Sequence, residues 1–299
     1  MTARDVVNWF RGASRSARAL AAAPGHELRR ILWEEGVRLP IVFEDSRRLR
    51  YVLHPGENAG VYLANDGNYE IGETLLCERF LRPGMTAFDV GANIGLYTLL
   101  FARHVGLSGD VHAFEPDREN LRRLRTNIAL NESENVRVVP AALYSTPGTV
   151  TLNVFPTHLN AWHSLGRPRL PDPFHPGRTA EPIAERSVEA TTLDEYCDSH
   201  QVDRIDLLKI DVEGAELDVI RGGAALLEAK RVGVILFEVS LPQLRAVGHT
   251  PADVFGELGK YGYSSYGVDV EGRVMGLHPG LREYANYVAT ADPGLLGVE

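Results

Sequence analysis

The 299-residue chain holds only two cysteines, Cys77 and Cys197. Two thiols are too few for a disulfide framework or a four-thiolate zinc site, and they fit a reducing, cytoplasmic setting. No apolar run approaches the roughly 18 residues that a membrane-spanning helix needs. Cations are also in deficit: Lys plus Arg number 31 against 40 Asp plus Glu, a formal net charge of −9. Nucleic-acid binding needs clustered cations against phosphate, so this balance excludes a general nucleic-acid binder. Internal repeats and long low-complexity tracts are missing too. What is present is an ordinary composition, 44% hydrophobic and 24% charged, with chain enough for one large domain or two modest ones.

The first 30 residues depart from the acidic balance. Six arginines (Arg4, Arg11, Arg15, Arg18, Arg29 and Arg30) stand against Asp5 and Glu27. Val6, Val7, Trp9 and Phe10 beside them suit an amphipathic helix. Such a helix covers its own domain or docks on a membrane surface, a partner or a second copy of the chain. The apolar stretch Ala19–Ala23 falls short of the roughly 7 residues of a secretory core, so no leader is expected.

Ile41-Val42-Phe43 and residues 49–53, separated by Glu44-Asp45-Ser46, predict a hairpin. Residues 1–68 thus form an N-terminal extension of helix and hairpin, and residues 69–299 the main domain. A helix is expected over 71–81, ended by Pro83-Gly84. Short apolar strands then alternate with helices: strands over 86–90, 111–114, 136–139, 205–210 and 232–237, and helices over 96–105, 118–130 and 215–229. That alternation predicts an α/β fold, a doubly wound parallel sheet with helices on both faces. Residues 263–266, 273–277 and 284–289 read as strands of an antiparallel edge. An insertion near 153–186 holds six of the 17 prolines, which excludes regular helix for most of its length. Its His158, Trp162, His163 and His175 suggest an active-site lid.

The chemistry concentrates in Phe88-Asp89-Val90-Gly91-Ala92-Asn93-Ile94-Gly95, a strand running into a tight turn before a helix. Glycines let backbone approach a ligand closely, and a helix N-terminus favours an anionic group. Glu115, 20 positions after Gly95, ends the next strand where an acid takes hydrogen bonds from ribose hydroxyls. The two features describe a nucleoside with an anionic tail. Asn93 occupies the place of the second glycine of the NAD fingerprint and obstructs a pyrophosphate. Asp89 suits a ligand with an amine. S-adenosylmethionine, with its amine, carboxylate, sulfonium and ribose, matches all of these.

These blocks, together with Leu208-Lys209-Ile210-Asp211-Val212-Glu213-Gly214-Ala215-Glu216, resemble the FkbM-type S-adenosylmethionine-dependent methyltransferases. Tyr69-Glu70 and Thr192-Leu193-Asp194 fit as well. The resemblance covers about residues 69–240, and residues 1 to about 50 fall outside it. It implies a class I, Rossmann-like fold with a seven-stranded sheet whose last strand is antiparallel. It also implies O-methylation of a sugar or natural-product hydroxyl. Cofactor contacts are expected at Glu70, Asp89, Gly91, Asn93, Gly95, Thr98, Glu115, Pro116, Ala142 and Asp211.

Methyl transfer from a sulfonium is an in-line displacement governed by positioning and water exclusion. A base adds about 10²–10⁴-fold for a hydroxyl acceptor. Asp211, His163 and Glu238 are the candidates, at strand ends or in the insertion. Glu216 is expected to complement a helix dipole. No metal is expected, although Asp211 with Glu213 or Glu238 would supply oxygen ligands. The alternatives are an N-methyltransferase of the same fold, an NAD-type oxidoreductase disfavoured by Asn93, and a non-catalytic cofactor-binding partner protein. The acceptor, a small molecule or a glycosylated one, is not selected by the sequence.

Overall fold

The computed structural model describes residues 40–53, 69–171, 177–277 and 284–297. The expected N-terminal helix, with its docking or self-association role, lies outside them.

The predicted hairpin forms: β1 (Ile41–Glu44) pairs antiparallel with β2 (Arg50–Leu53). Helix α1 (Ile71–Phe80) follows. Then come β3 (Thr86–Val90), α2 (Leu96–Val105), β4 (Asp110–Phe114), α3 (Arg118–Leu130) and β5 (Val136–Val139). Next are five strands absent from the sequence expectation: β6 (Ala142–Leu143), β7 (Gly148–Val154), β8 (Leu170–Pro171), β9 (Thr179–Ala180) and β10 (Ala184–Thr191). Helix α4 (Leu193–His200), β11 (Ile205–Ile210), α5 (Glu216–Arg221), α6 (Ala224–Glu228) and β12 (Val232–Ser240) complete the alternation. The chain ends in α7 (Leu241–Ala246), α8 (Pro251–Lys260), β13 (Ser264–Val268), β14 (Val274–Leu277) and β15 (Tyr284–Thr290).

The main sheet has the order β14-β13-β15-β12-β11-β3-β4-β5. Strands β3, β4, β5, β11 and β12 run parallel. The last strand, β15, is antiparallel to both neighbours, β12 and β13. This is the doubly wound class I arrangement, with the strand expected over 273–277 forming β14 at its edge.

Burial on both faces explains why these strands read as continuous apolar runs. All nine residues of β12 are buried. On one face Ala87, Leu207, Val234 and Val288 pack with Leu99, Phe101 and Val105 of α2, and with Leu53 and Phe43 of the hairpin. On the other, Phe88, Leu208, Ile235 and Phe237 pack with Tyr196, Leu217, Ile220, Leu226 and Val254. Helix α3 is started by Asp117, whose side chain accepts from the N–H groups of Glu119 and Asn120. Asn127 of α3 clamps the hairpin: its Oδ1 accepts from Val52 N–H at 2.8 Å, and its Nδ2 donates to Ile94 C=O at 2.8 Å.

The helix expected over 215–229 is broken into α5 and α6 at Gly222-Gly223. A Cβ on Gly222 would lie 2.2 Å from Tyr144 C=O, so close backbone packing acts together with the low helix propensity of the glycine pair at the break. The insertion is framed by a second, three-stranded sheet, β6-β10-β7. Its interior carries a short 3₁₀ turn, Thr157–Trp162, in place of regular helix.

Candidate active site

At the carboxyl ends of β3, β4, β11 and β12 lies a cavity of about 820 Å³. Open α/β sheets place their ligand crevice there. Ten of the expected site residues line it: Glu70, Asp89, Gly91, Asn93, Glu115, Pro116, Ala142, His163, Asp211 and Glu238. Gly95 and Thr98 stand behind the wall. Gly95, at φ 94°, is the N-cap of α2. Thr98 donates its hydroxyl to Asp89 Oδ2 at 2.5 Å.

The turn after β3 is built by close approach. Gly91 has φ 86°, and a Cβ there would fall 1.8 Å from Asp211 C=O. Only glycine lets the ends of β3 and β11 come together in this way. The N–H groups of Gly91 and Ala92 both go to Phe114 C=O, at 3.0 and 2.9 Å. Asn93, in the left-handed region at φ 49°, donates its N–H to Glu115 Oε2 at 2.8 Å. Glu115 Oε1 accepts from Asp117 N–H at 2.8 Å. Burial raises the Glu115 carboxyl to about 8 against those two donors. Asp89 is 1% exposed and raised by burial, and its Oδ1 has no partner.

Facing this wall is a cluster of acids around one cation. Lys209 sits at 5% exposure between the buried Leu208 and Ile210 of β11 and donates to Asp211 Oδ2 at 2.8 Å. Its ammonium also lies 4.4 Å from the centre of the Tyr97 ring. Burial lowers its basicity, but Asp211, Asp89 and Glu70 more than offset this and raise it. Burial likewise pushes Asp211 up, yet Lys209 and a hydrogen bond from Glu238 hold it below the usual carboxylate range. Burial and the Asp211 charge push Glu238 and Glu213 well up. Glu238 Oε1 is buried without a partner. Oxygens of Asp211, Glu213 and Glu238 lie within 4.8 Å of one another, a spacing that could also hold a cation. Glu70 accepts from Tyr97 OH at 2.6 Å and is raised by burial to about 7.

Glu213 stands in a strained left-handed conformation, φ 55°. Gln243 Nε2 holds its carboxylate at 2.7 Å, and Ser164 of the insertion donates to its carbonyl at 2.5 Å. Glu216 turns back onto its own loop, accepting from Val212 and Gly214 N–H at 3.2 and 3.1 Å, so it braces the turn rather than only complementing a dipole.

His163 lines the cavity, but its ring is engaged elsewhere. Its Nδ1 accepts from Phe155 N–H at 3.2 Å, which leaves Nε2 as the protonated nitrogen, 4.0 Å from Asp117 Oδ1. Burial lowers it to about 4. Neither nitrogen is free to take a proton from a substrate, so the geometry gives His163 a bracing role. Sequence reasoning passed over Lys209, Gln243, Asn160 and Tyr284 as site residues. The signal for Lys209 was visible, as a lone cation between the apolar Leu208 and Ile210.

Residues 89–265, more than half of the chain, match the model of the Methyltransferase FkbM domain. The chain is 32% identical over 154 residues to methyltransferase sdnD of Sordaria araneosa, covering 45% of this chain and 58% of that protein. It is 31% identical over 199 residues to 31-O-demethyl-FK506 methyltransferase FkbM of Streptomyces tacrolimicus, covering 60% and 70%. It is 29% identical over 156 residues to 2-O-methyltransferase NoeI of Sinorhizobium fredii, covering 50% and 62%. The match thus spans little more than half the length of sdnD. With the glycine turn, the Glu115 wall and the acid-lined cavity in place, the chain belongs to the FkbM methyltransferase domain family.

Proposed function

We propose that this protein is an S-adenosylmethionine-dependent O-methyltransferase acting on a hydroxyl of a sugar or natural-product acceptor. One observation carries the reading: a single cavity joins a nucleoside-binding wall, Glu115 with the Gly91–Asn93 turn, to the carboxylates Asp211, Glu213 and Glu238. FkbM, a 31-O-demethyl-FK506 methyltransferase, and NoeI, a 2-O-methyltransferase, support oxygen as the target.

The chain's residues fit the cofactor. Asp89, in the cavity wall, keeps a buried, unpaired oxygen that a ligand's amine would satisfy. Glu115 would hold the ribose, and Asp89, Glu70, Asn93 and the start of α2 the amino-acid tail. Pro116 and Ala142 line the adenosine side. When bound, S-adenosylmethionine supplies an electrophilic methyl group on a sulfonium.

The acid–base work falls to Asp211 and Glu238 as a pair. Two carboxyls this close share one proton, and Lys209 fixes the charge on Asp211. The ionised member accepts the proton of the acceptor hydroxyl. Trp162, Leu165 and the 3₁₀ turn of the insertion wall the cavity against water. Lys209 supplies the positive charge that a metal would otherwise bring, so the proposal requires no divalent ion. Cys77 and Cys197 are free and buried, as suits a reducing cytoplasm. Among the described residues no helix is long and apolar enough to cross a membrane.

Titration of the pure protein with S-adenosylhomocysteine tests the reading. Micromolar binding is expected, with Glu115→Ala weakening it at least tenfold. Unchanged affinity in that variant overturns the ribose assignment.

A further inference from the structure

Three asparagines from three separate elements are joined by hydrogen bonds, and two of them, Asn93 and Asn120, reach Glu115. Asn93 belongs to the turn after β3, Asn120 to the first turn of α3 and Asn160 to the 3₁₀ turn of the insertion. Asn160 Nδ2 donates to Asn120 Oδ1 at 3.2 Å and to Asn93 Oδ1 at 3.4 Å. Asn120 Nδ2 donates back to Asn160 C=O at 3.3 Å, and its side chain also hydrogen-bonds Glu115. Asn120 and Asn160 are 3% and 5% exposed.

Two acceptors on the Asn160 nitrogen fix which way the amide faces. Its Oδ1 is left buried, without a partner, in a residue that lines the cavity. Buried carbonyl oxygens are rarely left unpaired. A donor from a ligand in the cavity would satisfy this one. An adenosine moiety gripped by Glu115 offers such donors, as ribose hydroxyls and as an exocyclic amine.

Building on the proposed function, we infer that Asn160 is a cofactor-binding residue, through which the insertion hydrogen-bonds the nucleoside by way of Oδ1. The insertion is then part of the cofactor site as well as a cover for the acceptor. The same turn carries Trp162 and leads to His163 and Leu165, which also line the cavity.

The test is calorimetric binding of S-adenosylhomocysteine to the full chain and to Asn160→Ala. A loss of about tenfold is expected. A panel of adenosine, inosine, 2′-deoxyadenosine and 3′-deoxyadenosine, run by competition, separates a direct contact from a brace. If Oδ1 accepts from one nucleoside group, the penalty of the substitution disappears for the analogue lacking that group and persists for the rest. That analogue identifies the donor as hydroxyl or amine. An equal penalty across the whole panel, or affinity within twofold of wild type, overturns the inference. Should Asn160→Ala fail to fold, Asn160→Ser is run on the same panel. If the unaltered protein does not bind S-adenosylhomocysteine, the methyltransferase reading falls, and this inference with it. If it binds and only the panel fails, the methyltransferase reading stands.

Discussion

Glu115 titrates near pH 8 because it is walled in by Asn93, Asn120 and Asp117, and the penalty of burying its charge exceeds what two N–H donors return. Glu70 and Glu216 are raised to about 7 for the same first cause. A carboxyl whose folded pKa lies above its unfolded value, 4.5, contributes stability below that value and loses it as pH rises through the folded pKa. The cofactor-free protein should therefore lose thermal stability between about pH 5 and pH 8, and Glu115→Gln should flatten that slope in calorimetric scans. Lys209 has the opposite logic. It is a buried cation held among Asp211, Asp89 and Glu70, so Lys209→Met leaves buried charge uncompensated. Urea unfolding should show a loss of about 3–5 kcal/mol, the range for breaking a buried ion pair. The residue was legible in Leu208-Lys209-Ile210, but its role was not, because two of its three partners, Asp89 and Glu70, come from distant parts of the chain.

At the scale of elements, the strands and helices read from the sequence were those buried on two faces or started by a clear cap. Strand β12, buried throughout, and α3, begun by Asp117, are examples. Strand β10 went unread because Ala184–Thr191 is polar and mostly exposed or half-buried, and its pairing with β7 spans 30 residues of proline-rich insertion. The break between α5 and α6 falls on Gly222-Gly223, a pair visible in the sequence; what was hidden is the Tyr144 backbone packed against Gly222. The hairpin shows how an element is held by few groups. Asn127→Ala would leave Val52 N–H and Ile94 C=O without their partner. Denaturant unfolding should register about 1–3 kcal/mol, the cost of buried unpaired groups. Hydrogen exchange should show the amide of Val52 opening first.

Over the whole molecule, the glycine turn and the acid at the end of β4, both read from the sequence, come together on one wall of the cavity. The rest of its lining was not legible, since the insertion, β11, β12 and β15 all contribute to it. A ligand that binds only the folded state stabilises it by mass action. S-adenosylhomocysteine at a hundred times its dissociation constant should add about 2.7 kcal/mol, seen as a thermal shift that NAD does not reproduce. Dialysis against EDTA should leave methyl transfer within twofold of the untreated protein. A tenfold fall restored by magnesium would instead assign the Asp211, Glu213 and Glu238 oxygens to a metal.

Strand β15 slots between β12 and β13, both of which precede it in the chain. During synthesis those two leave the ribosome with nothing yet made to join them, and each carries an open edge until Thr290 has emerged. Tyr284 and Asn286 of this late strand line the cavity, so the nascent polypeptide acquires that part of its binding pocket last. In the interval the bare flank of β12 is a place for a chaperone, or an unwanted neighbour, to attach.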